Sequence, residues 1–97
     1  MVIDIRTFRL VDGADESAFL AADQRAQVEF FSPMAGIVRR TTARGAAGDW
    51  LIDTRWWSAD DADAAASAAA SDPAVAELEA FIDPSSVTAG RYEALPG

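Results

Sequence analysis

The chain has 97 residues, 51% of them hydrophobic, and carries 16 acidic side chains against eight arginines, for a net charge of −8. That length suits one domain over residues 1–97, and the negative balance argues against nucleic acid or an anionic membrane as partner, since both want a basic surface. The absence of cysteine and histidine excludes disulfides, thiolate or imidazole metal sites, cysteine nucleophiles and any Ser–His–Asp triad.

Twenty-two of the apolar residues are alanine, so bulky core material is scarce and burial supplied by a second copy is attractive. No run approaches the ~18–20 apolar residues of a membrane span. Asp4 and Arg6 interrupt the start before any signal-like apolar stretch. A cytoplasmic location is the resulting expectation.

The pattern predicts a first strand over Val2 to Val11, with apolar residues at both parities. That mixture signals burial on both faces, where a solvated face would give clean alternation. Asp12-Gly13 is a turn, and Asp15 caps a helix expected to run to about Ser32. Phe19, Ala22, Ala26 and Phe30 form its buried stripe, flanked by Leu20 and Phe31. Asp23 and Gln27 fall between those apolar rows, one turn apart, and buried polar groups need partners. Arg25 and Glu29 lie on the opposite face at the i, i+4 spacing of an exposed pair.

Pro33 and Gly36 break the helix before a β-branched segment, Ile37 to Arg44. Gly45-Ala46-Ala47-Gly48-Asp49 is a five-residue turn into a strand over Trp50 to Trp57, which makes an antiparallel hairpin. If Arg44 pairs with Trp50, then Thr42 opposes Ile52, Arg40 opposes Thr54 and Val38 opposes Trp56. Arg40 then shares a sheet face with Trp50 and Trp56. Arg39, Asp53 and Arg55 share the other face, where they suit an ion-pair network across a dimer interface.

Ser58 and Asp61 make an S-x-x-D capping signal for the next helix. The clustered Asp60, Asp61 and Asp63 favour its positive end, and they lack the spacing of a calcium loop. The alanine run to Ala70 can approach a sheet closely, and Asp72-Pro73 restarts a helix with Val75, Leu78 and Ile82 inward. Asp83-Pro84 ends it, and Ser86 to Leu95 reads as the last strand, with Tyr92 on its wall.

Strand, helix, strand, strand, broken helix, strand is the βαββαβ, ferredoxin-like α+β plan: a four-stranded antiparallel sheet with helices on one face. The uncovered face, with its own large apolar residues, points to a homodimer through the sheet face.

Two readings stand for each irregular residue. Trp50, Trp56 and Trp57 either fill core and interface or stack on a flat ligand. Asp23 and Gln27 are either tied to backbone or to an arginine of the sheet, or they stand on a pocket wall. In the second case Asp23 is a candidate base for a phenol, because apolar surroundings make a carboxylate hold its proton more tightly. Arg40 is then an anion clamp. The expected cavity lies between the first helix and the sheet, lined by Phe19, Asp23, Gln27, Arg40, Trp50 and Trp56, with room left by the alanines.

Trp56-Trp57-Ser58-Ala59-Asp60-Asp61-Ala62 resembles the antibiotic biosynthesis monooxygenase family of the dimeric α+β barrel group. Its members commonly end the third strand with a tryptophan followed by W-x-S and an acidic helix start. Phe19-Leu20-Ala21-Ala22 and Pro33-Met34-Ala35-Gly36 fit the same plan. The resemblance implies a homodimer whose sheets face each other, a pocket between helices and sheet, and oxidation of polycyclic aromatic compounds without metal or flavin cofactor. It also implies a ligand-facing role for Trp56. Many members carry a histidine in the helix after W-x-S. Here Ala64, Ala65 and Ala66 stand in that neighbourhood, which argues against the haem-degrading relatives.

Two functions remain open on these grounds. One is a cofactor-independent monooxygenase acting on a small aromatic or polyketide-type compound, with Asp23 and Trp56 catalytic and Phe19, Gln27, Arg40 and Trp50 binding. The other is a non-catalytic dimeric barrel that binds a small hydrophobic molecule or is structural.

Overall fold

The computed structural model describes residues 1–96. Four strands, β1 (Val2–Phe8), β2 (Ile37–Arg44), β3 (Trp50–Trp56) and β4 (Thr88–Glu93), form one antiparallel sheet in the order β2-β3-β1-β4. Between β1 and β2 runs α1 (Glu16–Ala26), and between β3 and β4 run α2 (Ala59–Ala69) and α3 (Pro73–Glu79). This is the expected ferredoxin-like α+β fold. Among the described residues no helix is long and apolar enough to cross a membrane.

Alternation in β3 sets which face is covered. Trp50, Ile52, Thr54 and Trp56 are buried, while Leu51, Asp53 and Arg55 between them are only half-buried. The buried row packs on Phe19 of α1, Ala62 and Ala65 of α2 and Leu78 of α3, so every helix covers that one face. The opposite face presents Ile3, Ile5, Leu51 and the exposed Tyr92 without any covering helix.

The helix ends follow their capping residues. Asp15 accepts a hydrogen bond from the Ser17 N–H, Ser58 from the Asp61 N–H, and Asp72 from the Val75 N–H ahead of Pro73. The expected helix to Ser32 differs in kind beyond Ala26. Gln27–Phe31 winds as a π-helix, and the Ser32 N–H reaches back five residues to the Gln27 carbonyl at 2.8 Å. A π-turn adds a residue to one turn and so redirects the side chains that follow.

Four strand limits and one register are corrected, the last strand ending at Glu93 and not at Leu95. β1 stops at Phe8, because the Arg9 N–H donates to the Ser86 hydroxyl and Leu10 makes only a single bridge to Ile82. The last strand begins at Thr88, since Pro84–Ser86 forms a 3-10 turn capped by Asp83. The hairpin register holds from Arg44–Trp50 to Arg40–Thr54, but a bulge at Val38 then pairs Ile37, in place of Val38, with Trp56. Trp57 lies just past β3 and is 65% exposed.

Candidate functional site

Beneath α1 a buried polar cluster links helix to sheet. Asp23 and Gln27 face β2 from successive turns, and on β2 the alternation presents Arg40 and Thr42 to them. Asp23 Oδ1 accepts from Arg40 Nη2 at 2.7 Å, and Oδ2 accepts from the Thr42 hydroxyl at 2.7 Å. Arg40 Nη1 donates to Gln27 Oε1 at 3.3 Å. The arginine side chain is 2% exposed and that of Asp23 12%. Phe31, the last residue of the π-turn, sets its ring 4.4 Å from the guanidinium carbon, a cation–π contact strengthened by the burial of the guanidinium. Arg40 Nε is buried with no acceptor. So both oxygens of Asp23 are engaged, and Arg40 is held from three sides.

A cavity of about 510 Å³ adjoins this cluster. Its roof is the alanine face of α2, including Ala62, Ala65 and Ala69, together with Val75 and Leu78 of α3. Its floor is the covered face of the sheet, with Trp56 and Phe31 at the end nearest Arg40. The wall is mostly apolar. At the far side two ion pairs stand on the wall, Arg6 with Glu79 at 2.7 Å and Arg91 with Asp4 at 2.7 Å. Arg91 also reaches Asp63 of α2 at 2.8 Å. These hydrogen bonds, first that to Asp4, raise the Arg91 guanidinium further above its usual range.

The cavity lies farther along the sheet than the sequence suggested. Arg40 and Trp56 are on its wall, whereas Asp23 and Gln27 bond to Arg40 and do not line it. Phe19 and Trp50 do not line it either. Their rings meet edge to face at 4.9 Å in the core beneath α1. The reason is bulk: phenylalanines fill the space under α1, and the alanines of α2 leave theirs empty.

A polar row that sequence reasoning did not assemble crosses the cavity floor. Arg40 pairs in register with Thr54, Thr54 with Asp4, and Asp4 with Arg91, one residue from each strand. All four line the cavity. The available signal was Thr54, a hydroxyl set among Trp50, Ile52 and Trp56 on an otherwise apolar strand face.

The W-x-S segment has a structural account. The Ser58 hydroxyl caps α2 and donates to Asp61 Oδ2 at 3.0 Å. The Asp61 carboxylate occupies the place a side chain at Gly36 would need, and Gly36 has φ +83°. The Trp57 N–H donates to the Gly36 carbonyl at 2.9 Å. The motif thereby fixes the end of β3 and the aim of Trp56. Among the described residues no cluster of acidic side chains is arranged to hold a metal ion.

No family model matches the chain, and no curated protein matches it in sequence. Solved structures do match in shape. A mutant form of SnoaB, a cofactor-independent oxygenase from Streptomyces nogalater, superposes with a TM-score of 0.80 at 19% identity, over 99% of this chain and 94% of that one. A candidate antibiotic biosynthesis monooxygenase from Bordetella bronchiseptica gives 0.80 at 12% identity, over 98% and 97%. Another from Nitrosomonas europaea gives 0.75 at 14%, over 99% and 100%. The chain has their fold. That agrees with the resemblance carried by Trp56-Trp57-Ser58, and at these identities the likeness concerns architecture alone.

Proposed function

We propose that the chain is a cofactor-independent, monooxygenase-like protein that takes a flat aromatic or polyketide-type compound into the cavity beneath α2 and α3. The observation that carries this reading is the cavity itself. It has the ~300–1,000 Å³ of a small-molecule site, mostly apolar walls, and few polar groups beside Trp56. In this reading the substrate, its acidic proton given up to solvent as it enters, supplies two electrons to dioxygen; one oxygen atom enters the substrate and the other leaves as water, which takes up the protons released. The protein binds, excludes water and steadies charge. Arg40 does the steadying, Asp23 and Gln27 hold Arg40 in place, and Trp56 forms the aromatic wall. Phe19 and Trp50 support that wall from the filled core.

Incubation with hydroxylated anthrones in an oxygen electrode tests the activity. Protein-dependent uptake supports it. Ligand-induced quenching of tryptophan fluorescence without uptake supports the alternative, a non-catalytic binding protein. That alternative is favoured by one observation, that both Asp23 oxygens are already bonded.

The proposed assembly is a homodimer through the open sheet face. Ile3, Ile5 and Leu51 lie on it, and Arg39 sits directly opposite Arg55 in register, a like-charge pair that is unfavourable without added carboxylate. Asp53, on the same face, has Oδ1 buried without a hydrogen bond, Arg55 being 3.7 Å away. A second copy covers the apolar residues and brings further carboxylate to the arginines. Light scattering at micromolar concentration should give twice the 10.3 kDa chain mass; a monomer throughout that range refutes the assembly.

A further inference from the structure

The cavity floor is apolar except for Arg6, which pairs with Glu79, and the row Arg40, Thr54, Asp4 and Arg91. Within that row three side chains are already committed. Arg40 is neutralised by Asp23, and Asp4 is held by both Nε and Nη2 of Arg91 at 2.7 and 3.2 Å. Thr54 differs. It is 7% exposed, it lies at the middle of β3 between Ile52 and Trp56, and none of the side-chain hydrogen bonds that tie the row together involves its hydroxyl. Thr42, two positions along the neighbouring strand, shows the contrast, since its hydroxyl is spent on Asp23. A hydroxyl placed in an apolar site and left unbonded lowers stability, and valine would fill the same space without that cost.

We infer that the Thr54 hydroxyl is the floor's hydrogen-bonding point for the ligand, and that it receives a neutral oxygen, a carbonyl or hydroxyl, on an otherwise flat apolar molecule. This rests on the cavity being the ligand site. A neutral oxygen suits this point because the cations on either side, Arg40 and Arg91, already have the carboxylates of Asp23 and Asp4 as partners. Selectivity follows from the setting. A ligand lacking the oxygen leaves Thr54 unbonded under it, whereas one bearing the oxygen satisfies both groups, and a site built this way discriminates strongly. Thr54 is thus a binding and specificity residue.

The test uses two probes with one skeleton, 9-fluorenone, which has a carbonyl, and fluorene, which has none. Their affinities are measured by calorimetry for the wild type, Thr54→Val and Thr54→Ser, with the thermal midpoint of each protein recorded alone. Wild type and Thr54→Ser should bind fluorenone about tenfold more tightly than fluorene, the worth of one buried hydrogen bond. In Thr54→Val that ratio should fall to about one, with fluorene affinity kept and the thermal midpoint unchanged or higher. A ratio unaltered by Thr54→Val overturns the inference, as does a marked fall in that variant's midpoint, which would mean the hydroxyl serves the fold. Equal binding of both probes by the wild type also overturns it while leaving the cavity reading intact. Failure of both probes to bind removes the cavity reading and the inference with it.

Discussion

Under α1, Phe8 and Trp50 both meet the ring of Phe19 edge to face, at 6.0 and 4.9 Å, whereas under α2 the same sheet faces a layer of alanines and a cavity. Both regions rest on the same strands and are closed by helices of 11 residues. What separates them is above all side-chain volume. A helix that presents Phe19 fills the gap above a sheet. One that presents Ala62, Ala65 and Ala69 closes the surface but leaves the interior open. The filled half can therefore supply the rigidity, and the hollow half can serve a guest.

The sharpest way to break that division is Phe19→Ala. Phe19 is fully buried at the centre of the filled half, and the change should cost about 3–5 kcal/mol by urea unfolding. A loss below about 1 kcal/mol would mean that this half repacks and is no more fixed than the other.

Next comes the seam between the halves. Asp23→Ala leaves Arg40 buried without its carboxylate and Thr42 without an acceptor, and should cost about 3 kcal/mol. Adding Arg40→Met should recover much of that loss, because an apolar side chain of similar length asks for no partner. If the double variant is no more stable than Asp23→Ala, the cluster does not act as an ion pair.

The smallest stability effect is expected in the hollow half. Ala69→Leu projects bulk into the cavity from its roof, so stability should stay within about 1 kcal/mol of the wild type. Fluorenone binding should nevertheless be lost. Substantial destabilisation would show that the space is not free to be filled.

The same contrast explains what could be read in the chain. The hairpin register was legible because a five-residue turn fixes which residues face each other, and the pairing of Arg40 with Thr54 follows from it. The caps Asp15, Ser58 and Asp72 were legible because each is a local signal. The bulge at Val38 was not, since no residue type in Ile37–Arg44 marks where the register shifts. Nor was the π-turn at Gln27–Phe31, which no residue type announces. Asp23 and Gln27 were recognisable as polar intruders in an apolar stripe, and an arginine of the sheet was one of the partners foreseen. Their distance from the cavity was hidden, because periodicity gives the direction of a side chain and not the volume left beside it.

The bulge at Val38 has a consequence for the life of the protein at high concentration. β2 and β4 are the outer strands of the sheet, and an outer strand offers its unpaired backbone to any other chain that drifts alongside. On β2 the bulge twists the strand out of the flat geometry that fibrils need, and Arg39, Arg40 and Arg44 punctuate it with charge. On β4 Arg91 and Glu93 do the same. The sheet thus ends on both sides in strands that resist edge-to-edge growth into insoluble stacks.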